Sequence, residues 1–356
     1  MSDFTYPDKN RFTIIRQYFI LVMKLVITHI HKPVLHQSTG YFLRIIYLFI
    51  DGIGIGLNDP DKNPFARYSN SIFSCLAGKD DNVPEGIYTV PTDAHMGITG
   101  LPQSATGQTS LWTGLNGPAI MGRHMTGFPG PTLVRAIHEH SIIKTFIEKG
   151  KKATLLNAYT LPYFEKIIKN PRLASASTHV QLASGQAPKT MDDLESGKAI
   201  YMDINNEVLI QLHPEWTERF PVVPSFEKGK DLVLMARDYD LVIFEYFLTD
   251  KAGHEQSFPY AKHTIKTVEN FISGILSEIN PEEELLLISS DHGNLEDLST
   301  KTHTNNPVMT FGYGARADEM ESHIKELKDI PHFIYRINDM EDLSELLMNA
   351  NYVMNE

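Results

Sequence analysis

Three apolar segments of this chain each end in an aspartate, and this repeated pattern constrains the fold more than any other feature. The segments are LFI before Asp51, FLT before Asp250 and ISS before Asp291. Apolar runs of this kind are typical of strands buried inside a parallel sheet. Because ligands of open α/β sheets bind beyond the carboxyl ends of the strands, we expect the three carboxylates to meet at one edge. Carboxylates brought together repel one another unless cations lie between them, which predicts a metal site at that edge.

The order of the predicted elements indicates an α/β fold. Strand-like apolar runs occupy residues 43–50, 153–159, 240–250 and 285–291, and residues 260–279 have apolar side chains at helical spacing. Strand, helix and strand in this order predict a mostly parallel central sheet with crossover helices. Further helices are predicted over residues 139–149 and over the segment MEDLSELLMNA at 340–350.

Three histidines follow the aspartates at offsets that suit metal binding. His254 lies four residues after Asp250, so that both side chains face one way on a helical turn. His292 directly follows Asp291, and His303 comes eleven residues later. Carboxylate oxygens and imidazole nitrogens together suit manganese, zinc or iron better than calcium. The chain has 15 histidines, so one Asp-His pair alone would mean little, and the argument depends on all three positions.

A segment rich in hydroxyl side chains, residues 100–114, leads into a predicted helix. Ser104, Thr106 or Thr109 could meet a phosphate held by the backbone N–H groups of the helix N-terminus. A hydroxyl is a poor nucleophile until a base or a metal ion activates it. The segment is therefore a candidate for the nucleophile only because a metal site is predicted. The alternative interpretation is an ordinary helix start with Ser104 as the N-cap residue.

Composition and chain ends exclude or disfavour several classes of protein. The net charge of −12 disfavours a nucleic-acid partner. A single cysteine, Cys75, excludes internal disulfides and multi-cysteine zinc sites, and it fits a reducing cytoplasm. Arg16 and Lys24 interrupt the apolar stretch near the N-terminus, so a transmembrane span of about 20 residues is not expected. We predict that residues 1–40 are an extension outside the core and that residues 41–356 form the catalytic domain.

Five motifs in order resemble those of the alkaline phosphatase superfamily. They are IDGIG at 50–54, QSATGQ at 103–108, DxxGH at 250–254, SDHGN at 290–294 and HTxNP at 303–307. The pattern is most similar to the metalloenzyme branch that contains cofactor-independent phosphoglycerate mutase and phosphopentomutase. The resemblance implies a three-layer sandwich around a mostly parallel central sheet.

The resemblance also implies two divalent metal ions and a role for each candidate residue. Manganese is the first expectation, with zinc or magnesium as alternatives. Ser104 would be the nucleophile and would carry a transient phosphoserine. One metal ion would be bound by Asp51, Ser104, Asp291 and His292, and the other by Asp250, His254 and His303.

Two departures from the family pattern bear on the reaction. The mutases have a histidine where this chain has Gln108, and the interval between Ser104 and Asp250 is too short for the large second domain of phosphoglycerate mutase. A small cap within residues 160–230 is compatible with that interval. The departures favour a phosphomonoesterase acting on a small phosphorylated metabolite, with a phosphomutase as the alternative. A phosphodiesterase, a metallopeptidase and a non-catalytic metal-binding protein are further alternatives.

Candidates for substrate contacts follow the nucleophile segment. Arg123 and His124 could reach the phosphate, since a guanidinium is a good bidentate partner for it. Asn116 and Asn294 are weaker candidates. One of Glu245 and Tyr246 is expected to point towards the site from its strand.

Overall fold

Within residues 42–79 and 82–340, which the computed structural model describes, eight β-strands form one large and one small sheet. The large sheet has the order β2-β8-β7-β1-β6-β3, and β4 pairs with β5. β3, β6, β1 and β7 run parallel to one another, whereas β8 is antiparallel to β7 and β2. The predicted mostly parallel sheet is therefore confirmed. The strands are β1 (Arg44–Ile50), β2 (Ile87–Thr92), β3 (Ala153–Leu155), β4 (Ala158–Tyr159), β5 (Lys189–Thr190), β6 (Leu241–Tyr246), β7 (Glu284–Ser289) and β8 (Val308–Gly314).

Helices connect the strands and cover the large sheet. They are α1 (Pro64–Tyr68), α2 (Ser104–Thr113), α3 (Gly117–Met121), α4 (Pro131–His140), α5 (Ile142–Glu148), α6 (Leu161–Lys169), α7 (Ala176–Ala183), α8 (Met191–Glu195), α9 (Glu207–Leu212), α10 (Ser225–Ala236), α11 (Leu248–Glu255), α12 (Phe258–Glu278), α13 (Met320–His323) and α14 (Asp329–Arg336). Short 3-10 helices lie at Ile72–Ala77, Pro171–Leu173, Pro214–Trp216 and Ala317–Glu319.

The large sheet is buried on both faces, as its strand β1 illustrates. Ile46, Leu48 and Ile50 pack into a cluster with α10 and α12. Tyr47 and Phe49 point the other way and pack with α2 and α14. Because successive side chains of a strand point to opposite faces, one continuous apolar run supplies both cores. The predicted three-layer α/β sandwich is confirmed.

The segment at 153–159 departs from the single strand predicted for it. The Asn157 side chain accepts from the Glu245 N–H and donates to the Glu245 oxygen, both at 2.8 Å. It therefore stands in for a backbone partner beside β6. Ala158 pairs its backbone with Ile200 instead, which leads the chain into the small sheet.

The predicted helices differ in how well their bounds agree with the structure. Helix α12 matches the prediction for 260–279 closely. The helix predicted over 139–149 is divided, because Ser141 ends α4 and caps α5 by accepting from the Lys144 N–H.

The segment at 160–230 contains the small sheet's β5 and short helices around two local clusters. Tyr201, Leu209 and Phe220 belong to one cluster, and Phe164 belongs to the other. Helix α7, within the same segment, packs against α4 and α5 on the main sheet. The segment is thus only partly separate from the sandwich.

The predicted extension at 1–40 lies outside the described residues, as does nearly all of the helix predicted at 340–350. Among the helices of the described part of the chain, none is long and apolar enough to cross a membrane.

Candidate metal centre

The three aspartates predicted to meet at one edge of the sheet do so, although not all of them end a strand. Asp51 follows β1 directly, and Asp291 comes two residues after β7. Strand β6 ends earlier than predicted, at Tyr246, so Asp250 lies in the first turn of α11. Thr249 donates from Oγ1 to the backbone oxygen of Asp51 at 2.6 Å and thereby holds this helix against the end of β1.

Gly52 allows the Asp250 carboxylate to lie close to the end of β1. Its φ of +70° is in the left-handed region, and a Cβ at this position would lie 2.7 Å from Oδ1 of Asp250. Any other residue here would be strained and would displace the carboxylate.

Asp250, His254 and His303 form the first group of potential metal ligands. His254 Nε2 lies 3.3 Å from both Asp250 Oδ2 and His303 Nε2, and His303 Nε2 lies 3.6 Å from Asp250 Oδ1. The Nδ1 atoms of His254 and His303 face the backbone oxygens of Lys301 and Pro102, at 3.0 and 3.1 Å. In the neutral tautomer that donates to these oxygens, both Nε2 atoms are acceptors aimed at a third acceptor, the carboxylate. A cation between them would satisfy all three, and a backbone carbonyl is the usual second partner of a metal-binding histidine.

Ser104, Asp51, Asp291 and His292 form the second group. His292 Nε2 lies 2.9 Å from Ser104 Oγ, 3.4 Å from Asp51 Oδ1 and 3.5 Å from Asp291 Oδ2. Gln108 donates from Nε2 to Oδ2 of both aspartates, at 3.3 and 3.1 Å. Its side chain therefore tethers the two carboxylates on the side facing α2.

The two groups are contiguous. Asp250 also lies within reach of Asp51 and His292, with ligand atoms within 4.8 Å of one another. The rings of His292 and His303 stack at 3.6 Å with 15° between their planes. All seven residues predicted as metal ligands are thus brought into one cluster.

The buried part of this cluster fits divalent cations. Asp51 Oδ1, Asp291 Oδ1 and His292 Nδ1 are buried without a hydrogen-bond partner. Burial, followed by repulsion from neighbouring carboxylates, raises the pKa of Asp51 and of Asp291 above the usual range. Burial lowers the pKa of His292 to about 3, which keeps the imidazole neutral and able to bind a metal. Divalent cations would offset the repulsion between carboxylates that now face one another.

Two residues that the sequence did not assign to the centre hold the potential ligands in place. Asn294, proposed from the sequence as a weak substrate contact, donates from Nδ2 to Asp250 Oδ1 at 2.7 Å. Buried Glu296 accepts from the N–H groups of Gly54 and Asn294 and from Thr304 Oγ1. It therefore ties the loop after β1 to the loop that contains His292 and His303. Its position close after the SDHGN motif was the only signal available in the sequence.

Replacing Asn294 with alanine is expected to weaken metal binding about 10- to 100-fold, as is usual when a ligand loses its supporting hydrogen bond. Asp250 would lose the amide that orients its carboxylate. Competition against a chromogenic chelator measures the change. The matched control is Asn305→Ala, since Asn305 is an exposed asparagine of the same loop. Equal affinities in both variants would show that Asn294 does not orient the ligand.

A cavity of about 800 Å³ opens beside the cluster. Asp51, Ser104, Asp250 and His254 line it together with residues of the 157–176 segment. Glu245 also lines the cavity, whereas Tyr246 is buried in the core on the far side of the sheet.

Arg123 and His124 lie outside the lining of this cavity. Arg123 is exposed, and His124 Nε2 lies 3.0 Å from the backbone oxygen of Ile98. Gly127 and Phe128 of the same loop line the cavity instead. Contact of Arg123 or His124 with substrate stays a prediction.

Comparison with known protein families identifies the superfamily to which this chain belongs. A model described as the metalloenzyme superfamily matches residues 44–341, which include both ligand groups. The chain belongs to the metalloenzyme superfamily. This is a superfamily of metal-dependent phosphoryl-transfer enzymes, phosphatases and phosphomutases among them. The resemblance inferred from the five motifs is confirmed.

Curated relatives within this superfamily are 2,3-bisphosphoglycerate-independent phosphoglycerate mutases. The protein of Methanococcus maripaludis strain C6 is 23% identical over 192 residues, which are 49% of this chain and 47% of the relative. The protein of Clostridium botulinum strain ATCC 19397 is 30% identical over 119 residues, 32% of this chain and 23% of the relative. The chain thus spans about half the length, or less, of these relatives. Among solved structures, the alkaline phosphatase of the Antarctic bacterium TAB5 aligns with a TM-score of 0.46 at 13% identity, covering 84% of this chain and 99% of that one.

Proposed function

We propose that this chain catalyses metal-dependent phosphoryl transfer with Ser104 as the nucleophile. The observation that carries the proposal is the position of Ser104 Oγ, 2.9 Å from His292 Nε2, within a cluster that fits divalent cations. Two ions are proposed, manganese first and zinc or magnesium as alternatives. Asp51, Ser104, Asp291 and His292 would bind one, and Asp250, His254 and His303 the other.

The contacts of the neighbouring hydroxyl groups favour Ser104 over the other candidates. Thr106 Oγ1 donates to the backbone oxygen of Gln103, and Thr109 Oγ1 donates to that of Ala105, at 3.2 and 2.7 Å. Both hydroxyls are thereby committed to their own helix. The Ser104 hydroxyl instead faces the cluster and lines the cavity.

The first turn of α2 is proposed to hold the phosphate as well as the nucleophile. Ser104 is its first residue, and the side chain of the preceding Gln103 does not cap the helix. Backbone N–H groups at such a terminus can donate to phosphate oxygens. The bound metal ions would neutralise phosphate charge and lower the pKa of the Ser104 hydroxyl.

The proposed reaction then has two stages at Ser104. Its oxygen forms a bond to phosphorus while the bond from phosphorus to the substrate's alcohol oxygen breaks, and that alcohol takes up a proton. The resulting phosphoserine loses its phosphoryl group to a second oxygen nucleophile. If that nucleophile is water, the enzyme is a phosphomonoesterase; if it is another hydroxyl of the substrate, the enzyme is a phosphomutase.

Both outcomes have support. The departure at Gln108 and the short interval between Ser104 and Asp250 favour hydrolysis of a small phosphorylated metabolite. The names of the curated relatives favour the mutase outcome to the same degree. A cytoplasmic location stays a prediction from the cysteine content.

The test is to incubate the manganese-loaded protein with p-nitrophenyl phosphate, phosphoglycerates and pentose phosphates, and to measure both free phosphate and positional isomers. Free phosphate identifies a phosphatase, and isomers without free phosphate identify a mutase. Turnover of bis(p-nitrophenyl) phosphate alone would point to a diesterase. If the metal-loaded protein yields no product from any of these esters, nor from phosphoethanolamine and propyl phosphate, phosphoryl transfer is contradicted.

A further inference from the structure

Five aromatic side chains, here called the aromatic wall, line the cavity beside the metal centre. They are Phe128, Tyr159, Tyr163, Tyr201 and Phe247. The rings of Tyr159 and Tyr163 stack with centroids 4.7 Å apart and 18° between their planes. The negative faces of aromatic rings attract a ligand cation, and ammonium groups are often recognised by them.

A buried carboxylate lies in the same cavity without a cationic partner. Glu245, on β6, is 7% exposed and accepts a hydrogen bond at Oε2 from Ser177 Oγ. Among the described residues, no basic side chain forms an ion pair with it. Burial raises the pKa of Glu245 to about 7, the shift expected of a carboxylate removed from water and not paired with a cation.

The cavity is poorly equipped for a substrate with a second anionic group. Lys251 is the one lysine or arginine among the described residues that line it. Its side chain is 57% exposed and pairs at 3.8 Å with Glu255, which also lines the cavity. A carboxylate on the alcohol portion of the substrate would therefore meet Glu245 and aromatic faces without a buried cationic partner.

We infer that the cavity selects a phosphomonoester whose alcohol portion carries an ammonium group, such as a phosphorylated amino alcohol. The inference rests on the proposed function, which places the phosphate at Ser104. The ammonium group would lie against the aromatic wall and pair with Glu245. Under this inference, a phosphoglycerate is a poor substrate although the curated relatives are named for it.

The test compares three esters of similar size: phosphoethanolamine, propyl phosphate and 3-phosphoglycerate, which are cationic, neutral and anionic beyond the phosphate. Values of kcat/KM and calorimetric affinities are measured for the wild type and for Glu245→Gln. Glutamine keeps the acceptor for Ser177 and removes the charge. We expect phosphoethanolamine to be preferred about tenfold or more over 3-phosphoglycerate in the wild type, and Glu245→Gln to remove that preference while propyl phosphate changes little.

The matched control is Glu269→Gln. Glu269 is also buried and accepts from a serine hydroxyl, Ser69 Oγ, but it lies outside the cavity lining. The Glu269→Gln variant should leave the ratios of kcat/KM among the three esters unchanged. A wild-type preference for the neutral or anionic ester would overturn the inference, as would a Glu245→Gln variant that weakens all three esters equally.

Failure of the proposed function gives a different result. In that case none of the esters is turned over, and inorganic phosphate does not compete with them in calorimetry. If inorganic phosphate binds and competes, but phosphoethanolamine binds no more tightly than the other two esters, the phosphate site is supported and the inference about the ammonium group is contradicted.

Discussion

Replacing Ser104 with alanine is expected to lower the rate of phosphoryl transfer by about three orders of magnitude or more, because the proposed nucleophile is lost. The variant should fold, since the Ser104 side chain is only partly buried and does not cap α2. The measurement is kcat on the best ester, together with intact-protein mass spectrometry after rapid acid quench. A phosphorylated species should form in the wild type and be absent from the variant.

The matched control is Thr109→Val, which removes a nearby hydroxyl of the same helix and keeps its shape. Because Thr109 donates to the backbone of α2, its loss should affect stability more than catalysis. A Ser104→Ala variant with near wild-type turnover, or a phosphorylated peptide that maps to another hydroxyl, would exclude Ser104 as the nucleophile.

Replacing Asp250 with asparagine is expected to cause the second largest loss, because Asp250 belongs to the first group of potential ligands and also lies within reach of Asp51 and His292 of the second. The neutral amide removes a charge that would face two cations, so metal binding and turnover should fall together. A metal that binds only the folded protein at about 100 times its Kd stabilises it by about 2.7 kcal/mol per site. The rise in Tm on adding manganese should therefore be large in the wild type and strongly reduced in the variant.

Asp231→Asn is the control for Asp250→Asn, since Asp231 has a half-exposed side chain on α10 and pairs with Lys228 there. It should keep the wild-type response to manganese. If Asp250→Asn showed the same rise in Tm as the wild type, Asp250 would not be a metal ligand.

The sequence predicted that the proposed ligands lie together because their positions follow from local rules. Asp51 and Asp291 lie just beyond buried strands, and a parallel sheet brings such ends together. The four-residue step from Asp250 to His254 places both on one face of α11, as expected. The end of β6 was misjudged because Phe247 and Leu248 continue the apolar run into the helix, and hydrophobicity alone does not mark that change.

Residues that act through tertiary contacts could not be predicted in the same way. Gln108 was noted as a departure from the family, but its bridge between two aspartates depends on how α2 lies over the sheet. One contact of Glu296 is with the backbone N–H of Gly54, 242 residues away in sequence. The aromatic wall is assembled from four separate stretches of the chain, so no single window of sequence contains it.

The most direct test of the central claim is anomalous diffraction at the manganese edge from crystals of the manganese-loaded protein. The account predicts two peaks, one among Asp51, Ser104, Asp291 and His292, and the other among Asp250, His254 and His303. No peak at this edge of the sheet, or peaks only elsewhere on the protein, would contradict it.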